Sequence, residues 1–479
     1  MTTPPVSSER MSRVDTAWLR MDSDVNLMMI VGVWLLRPGI AYEALCRRVE
    51  DKLLRYERFR EIAVRDSGGA TWVGDSGFDI HRHVVREKLE RGRGQSERAA
   101  LQERVGVLAS QPLDPARPLW QFHLIDGYEG GSALIARVHH CIGDGIALIS
   151  VMMTITDGGS DPPARRGRAA RAETDGADWL NDVVLKPLGG LSAKAADLVE
   201  ASIARALDAL ADPQQGLASS IDGARTVAKV MGDVAAMAMM SDDSPTLLKG
   251  KPNGRKIVAW GEPIALDRVK WIGKALGCSI NDVLLASVSG AIGDWLRDQG
   301  DDPAGKEIRA MVPVNLRPLD QAWKLGNRFG LAPLVLPIGI ANPVERVYAV
   351  RARMNALKAS YQPLLAFAVL AVAGQMAKPV QDMILGLFAK KATAVMTNVP
   401  GPAVPLEFCG STLRQTMFWV PASGDIGVGV SILSYGGGVQ FSLITDEALC
   451  PDPQAIIDRF EPEFERLLLL AMMLPWGED

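Results

Sequence analysis

Ala133-Leu134-Ile135-Ala136-Arg137-Val138-His139-His140-Cys141-Ile142-Gly143-Asp144-Gly145 is the stretch on which the fold turns. Its first seven residues have strand character. So does Trp120 to Asp126 (WQFHLID) just upstream, and the residues between them (127–131, GYEGG) carry turn chemistry. The two segments therefore predict a β-hairpin. Downstream, Ala147 to Met153 predict a helix that begins after an Asp-Gly pair. The two histidines stand where a strand ends, beside glycines that let another part of the chain approach closely.

Successive strand residues point to opposite faces, so only one of His139 and His140 faces a given cleft. That argues against a shared metal ion. The chain also lacks an HExxH run and a cysteine partner, so no metal is expected. A histidine at a strand end suits a general base, because its ordinary pKa near 6.5 lets it take a hydroxyl proton at neutral pH. Asp144 either caps the helix that follows, orients an imidazole, or pairs with a distant arginine. Cys141 as a nucleophile activated by His140 is geometrically poor, since adjacent strand residues diverge. No G-x-S-x-G elbow points to a serine hydrolase.

Outward from this run, the 479 residues give room for two or three domains. Residues 11–60 open with a helical pattern, pass through an apolar strand at Leu27 to Leu36, and continue in a helix from Ala41 to Tyr56. Residues 95–110 predict another helix, with Ser96 as its cap. A Gly/Pro/Arg/Ala-rich stretch at 157–178 reads as a linker, and Trp179 to Met240 as Ala-rich helix. A second α/β region starts near Ile257. It has a helix over Ser279 to Arg297 and strands at Ile308 to Val314, Leu331 to Ile338, Ala394 to Thr397, Thr412 to Val420, Gly427 to Ser434 and Gly438 to Thr445. Its last helix spans Pro453 to Met472. The irregular alternation makes the class α/β or α+β.

Hydrophobic residues make up 48% and charged residues 23%, and the mean hydropathy is +0.08. A net charge of −4 offers no field for nucleic acid. The five cysteines (Cys46, Cys141, Cys278, Cys409, Cys450) are scattered and odd in number, which fits a reducing compartment. The first residues lack the apolar core of a signal peptide. The apolar runs Leu364 to Gly374 and Leu467 to Leu474 are too short to span a bilayer and read as core helices. A cytoplasmic protein is expected. The arginine-rich stretch 161–172 is a candidate for contact with a membrane surface.

HHCIGDG fits HHxxxDG, and so resembles the active-site pattern of the CoA-dependent acyltransferase superfamily. Other segments narrow the resemblance. In chain order they are Pro118-Leu119-Trp120, Asn281-Asp282, Pro313-Val314-Asn315-Leu316-Arg317, Gly326-Asn327, Thr397-Asn398-Val399-Pro400-Gly401-Pro402 and Gly424-Asp425-Ile426-Gly427. With these, essentially the whole chain resembles the bacterial wax ester synthase/diacylglycerol acyltransferase family. That resemblance implies two chloramphenicol-acetyltransferase-like α/β domains forming a pseudo-dimeric sandwich. The HHxxxDG run would sit in the central cleft, with a tunnel for each substrate.

The implied units are 1–178, a helical linker at 179–255, and 256–479. The implied reaction is O-acyl transfer from acyl-CoA, a co-substrate rather than a cofactor, to diacylglycerol or a long-chain alcohol. His140 would be the base, with no covalent acyl-enzyme. His139 and Asp144 complete the catalytic set. Gly143, Gly145, Asn281, Asp282, Asn315, Arg317, Asn398 and Gly401 would support substrate or site, with Arg317 a candidate partner of Asp144. Peripheral contact with membrane or lipid droplets follows from such substrates. A condensation-type acyltransferase and a non-catalytic lipid-binding protein are the alternatives on the same fold. The acceptor and the oligomeric state are not legible.

Overall fold

The computed structural model describes residues 8–159, 240–316, 324–358 and 390–474, together with positions 366, 378, 381 and 386. Most of the expected linker and the apolar run Leu364 to Gly374 lie outside the described residues. So do Arg317 and the arginine-rich stretch 161–172.

The described strands are β1 (Ser8–Arg10), β2 (Met29–Arg37), β3 (Glu61–Asp66), β4 (Gly69–Gly74), β5 (Val84–Lys88), β6 (Trp120–Asp126), β7 (Ser132–His139) and β8 (Lys256–Trp260). The remaining strands are β9 (Ile264–Ala265), β10 (Ile308–Asn315), β11 (Phe329–Leu336), β12 (Ala394–Pro400), β13 (Glu407–Phe408), β14 (Ser411–Trp419), β15 (Val428–Tyr435) and β16 (Gly438–Asp446). The described helices are α1 (Arg13–Arg20), α2 (Tyr42–Asp51), α3 (Ile80–His83), α4 (Glu97–Ala109), α5 (Gly145–Ile155), α6 (Leu266–Leu276), α7 (Ile280–Asp298), α8 (Pro343–Lys358) and α9 (Gln454–Met473).

Two large sheets organise the molecule. The first runs β13-β14-β2-β7-β6-β5, and the second runs β11-β10-β12-β15-β16-β8 with β9 beside β16. The hairpin read from sequence is β6 and β7, paired antiparallel from Trp120↔Val138 to Asp126↔Ser132. The first sheet crosses the expected boundary. β14, from the second half of the chain, pairs antiparallel with β2, from Thr412↔Arg37 to Trp419↔Val31. The expected 256–479 unit therefore lends two strands to its neighbour. Strand periodicity finds β14 but cannot say which sheet it joins.

Alternation along β2 and β7 divides their side chains between two cores. Ile30, Trp34, Leu36, Leu134 and Val138 pack with residues of α1, α2 and α5. Val31, Val33, Leu35, Ala133 and Ile135 face the other way, onto Leu101, Val105 and Leu108 of α4 and onto Val258 and Trp260 of β8. Helix α4 thus lies between the sheets. Gly106 makes this possible, because a Cβ there would meet the Lys256 carbonyl oxygen at 2.6 Å. The second half has its own core, built from α6, α7 and α9 against β10, β12, β15 and β16.

Polar ties close the seam between the halves. The Asn26 amide donates to the carbonyl of Gly424 at 2.6 Å, and the Lys256 ammonium reaches both Asn26 (2.8 Å) and Asp446 (3.2 Å). No single described helix is long and apolar enough to cross a membrane. The run Leu467 to Leu474 departs from a pure core helix. Leu467 is buried, whereas Leu469, Met472 and Met473 at the end of α9 are exposed.

Ser279 caps α7. Its hydroxyl accepts from the Asp282 amide at 3.2 Å, and the Asp282 carboxylate accepts from the Ser279 amide at 2.9 Å. Asp282 is therefore part of a reciprocal cap rather than a group pointing at substrate. Ser279→Ala should cost about 1 kcal/mol of stability, read as a lower urea midpoint with an unchanged m-value.

Candidate active site

The end of β7 delivers the two histidines to different partners. The Nδ1 of His139 accepts the Cys141 amide at 3.1 Å, so its proton sits on Nε2, which donates to Asp22 at 3.2 Å. Asp22 also accepts the Met28 amide at 2.6 Å. Burial, the largest single influence, raises the Asp22 pKa, but the bonds from His139 and the Met28 amide and the nearby positive charge together outweigh it, and the carboxyl ends below its ordinary value. His139 thus anchors the chain entering β2.

His140 turns to the seam. Its Nδ1 lies 2.7 Å from the Asn327 amide oxygen. That amide's orientation is fixed, because its nitrogen donates to the Asp15 carboxylate (2.8 Å) and to the His140 carbonyl (2.7 Å). The oxygen must accept, so His140 Nδ1 carries the proton and Nε2 presents a lone pair. Asp15 also accepts the Asn327 backbone amide at 2.9 Å. Fully enclosed, its carboxyl is raised by burial despite these bonds. The Trp18 indole stacks on the imidazole with centroids 4.2 Å apart and planes at 15°, and Phe329 leans on it at 5.4 Å.

Burial is also the main influence on His140. It lowers the pKa to about 4, against the raising effect of the Asn327 bond. The imidazole is therefore neutral, and able to accept a proton, throughout the physiological range.

Asp144 serves the loop rather than the imidazole. One carboxylate oxygen caps α5 through the Ala147 amide at 2.9 Å, and the other accepts the Arg328 backbone amide at 3.0 Å. Gly143 forms a parallel bridge with Gly326, and the Gly326 amide donates to Ile142 at 3.0 Å. Gly326 has φ +100°, and a Cβ there would stand 3.3 Å from the Asp15 carboxylate. Only glycine suits that conformation without strain. The HHCIGDG run and residues 326–328 are thus stitched together by backbone and carboxylate.

Cys141 is buried, and burial pushes its thiol well above its ordinary value, so it holds no thiolate.

The other expected residues scatter. Asn398 donates to Asn281 at 2.7 Å, tying β12 to the first turn of α7. Asn315 is buried at the end of β10, paired in register with Phe329. Gly145 and Gly401 line a narrow apolar cavity of about 120 Å³. Ile30, Trp34, Leu134 and Val138 of the first sheet, together with Leu148 and Met152 of α5, form much of its wall. Val138 and Gly145, which bracket the histidine run, both line it, so one end lies at the histidine loop.

Sequence reasoning named the histidine but missed what holds it. Asn327 was visible only as half of a Gly-Asn pair. Asp15 and Trp18 lie on α1, more than a hundred residues upstream, where nothing local marks them.

The two sheets thus meet at a seam that holds a neutral buried histidine, with an apolar cavity alongside. The chain belongs to the wax ester synthase/diacylglycerol acyltransferase family. The family's catalytic-domain model matches residues 11–284 and its C-terminal-domain model matches residues 325–468. A Mycobacterium tuberculosis protein named probable diacylglycerol O-acyltransferase tgs1 is 25% identical over 472 residues, covering 96% of each chain. The tgs2 protein of the same species is 25% identical over 478 residues, covering 95% of this chain and 97% of its own. Among solved structures, the wax ester synthase/diacylglycerol acyltransferase from Marinobacter aquaeolei aligns with TM-score 0.64 at 21% identity, covering 97% of this chain and all of that one. The first condensation domain of the calcium-dependent antibiotic synthetase aligns with TM-score 0.58 at 14% identity, covering 98% of this chain and 97% of its own.

Asn327→Ala would strip His140 and Asp15 of their shared partner. A loss of about 100-fold or more in turnover is expected, with about 1–3 kcal/mol of stability. Asn327→Asp should not rescue activity, because it sets a second acid against buried Asp15. Steady-state rates and urea unfolding on the same samples check both.

The pH dependence carries a definite sign. With the His140 pKa near 4, any acid limb of kcat/KM due to it should lie well below the ordinary histidine value of about 6.5. The unfolded imidazole takes a proton near 6.5 that the folded one refuses until about 4, so acidification across that window favours unfolding. Urea midpoints at pH 7 and pH 4.5 should differ more for the unmodified protein than for His140→Ala.

Proposed function

We propose that this chain transfers a fatty acyl group from acyl-CoA to the hydroxyl of diacylglycerol or of a long-chain alcohol, with His140 as the base. The observation that carries the reading is the Asn327–His140 bond, which leaves Nε2 unprotonated on a ring kept neutral by burial.

Nε2 takes the acceptor's hydroxyl proton as its oxygen attacks the thioester carbonyl. The tetrahedral adduct collapses to an ester and expels the CoA thiolate, which receives the proton from His140. Atoms and charge balance without a covalent acyl-enzyme. The developing imidazolium keeps its Nδ1–H on the Asn327 oxygen, and this bond strengthens as the ring becomes charged. The aligned stack with Trp18 fixes the ring plane, so little reorganisation accompanies proton transfer.

The apolar cavity supports a lipid substrate. An engineered apolar cavity of roughly 150 Å³ stays dry and takes a small apolar guest, and the present one, at about 120 Å³, suits the body of an alkyl chain but not a polar headgroup. The names of the tgs1 and tgs2 relatives favour diacylglycerol as acceptor. Substrates of this kind would be met at a membrane or lipid-inclusion surface. The exposed Leu469, Met472 and Met473 at the end of α9 support peripheral contact there.

Purified protein incubated with palmitoyl-CoA and either dioleoylglycerol or hexadecanol should release CoA only when an acceptor is present. His140→Ala should lose at least about 100-fold of that rate. Absence of acceptor-dependent release with both alcohols would refute the enzyme reading. Full activity in His140→Ala would refute the base.

A further inference from the structure

β2 and β7 are the central strands of the first sheet, and their residues are buried almost without interruption. Two interior positions break the pattern, Gly32 and Ala136, which are only half-buried. They are direct cross-strand partners, and both line the apolar cavity. Continuing the register outward, Phe418 of β14 lies opposite Gly32 and Phe122 of β6 lies opposite Ala136. Both phenylalanines also line the cavity. One row across the sheet therefore reads Phe-Gly-Ala-Phe, a notch two strands wide between aromatic shoulders.

The rows on either side are bulkier. Toward the catalytic loop stand Ile30 and Val138, which are paired, and away from it stand Trp34 and Leu134, which are also paired. Same-face rows along a strand are about 7 Å apart, and Ala136 lies four residues, or about 13 Å, from His140 along the chain. Trp34 is held edge-on against Phe408, with centroids 5.2 Å apart, so it makes a firm far wall.

The notch is empty by composition rather than by backbone need. Gly32 has no left-handed φ, and a Cβ there would meet only the Met417 carbonyl oxygen at 3.7 Å, an ordinary contact. The sheet would tolerate a side chain at this position, and the side chain would project into the cavity. We propose that the Gly32–Ala136 pair is a chain-length ruler. Its missing side chains leave the groove along which an alkyl chain passes from the catalytic loop toward Trp34, so they set the length of chain the enzyme accepts.

This rests on the acyl-transfer reading. The alkyl chain has two possible sources, the acyl donor and the acceptor alcohol, and two substrate ladders separate them. One pairs octanoyl-, lauroyl- and palmitoyl-CoA with a fixed acceptor. The other pairs octanol, dodecanol and hexadecanol with a fixed donor.

Gly32→Val and Ala136→Val should each lower the long-to-short ratio of kcat/KM by about 10-fold or more in one ladder while the shortest substrate is still turned over. The ladder that shifts names the chain in the groove. Gly32→Ala adds one methyl group with room around it and should give a smaller shift in the same direction, which covers the case in which valine unfolds the protein. Unchanged ratios in folded, active variants, or a loss shared equally by all lengths, would overturn the ruler alone. Failure of the unmodified protein to transfer to any acceptor would overturn the acyl-transfer reading, and the ruler with it.

Discussion

The side-chain amide of Asn327 is the constraint on which the site depends. It makes three hydrogen bonds to two different parts of the chain: the Asp15 carboxylate on α1, and the ring and carbonyl of His140 at the end of β7. Asn327 itself comes from the second half, just before β11. The proposed base is thus assembled from three distant segments and exists in its useful tautomer only when the halves are docked. Neighbouring bonds enforce the docking: Asp144 on the Arg328 amide, Gly326 on Ile142, and β14 in the first sheet. A buried polar network is stabilising only when every member is satisfied, and that requirement makes the arrangement specific as well as stable.

Burial and chemistry pull in opposite directions at His140. Enclosure against Trp18 and Phe329 keeps the ring neutral but makes it a weaker base. A thioester asks little of its base, since the acceptor needs to lose its proton only as the bond to carbon forms. What the enclosed site supplies is position and the exclusion of water, which would otherwise compete with the alcohol for the acyl group. The adjoining apolar cavity extends the same dry environment along the sheet.

The fold was largely legible. The hairpin of β6 and β7, the strands β10 to β12 and β14 to β16, and the cap at Ser96 follow from periodicity and turn chemistry, because each is decided by neighbours in sequence. Strand alternation also separated the tasks of His139 and His140. Long-range pairing was not legible. The entry of β14 into the first sheet and the reach of Asp15 and Trp18 from α1 to the histidine depend on packing between segments more than a hundred residues apart. Asp144 shows the limit well. Its capping role was readable from position, whereas its second bond, to the backbone of Arg328, was not.

In this structure two adjacent histidines hold opposite tautomers. ¹⁵N-histidine labelling reads this directly, because the chain has only five histidines and substitutions assign each signal. At neutral pH, His140 should show a protonated Nδ1 and a bare Nε2, and His139 the reverse. Asn327→Ala should disturb His140 while leaving His139 as it is. A His140 protonated on Nε2, or carrying both protons at neutral pH, would contradict the account.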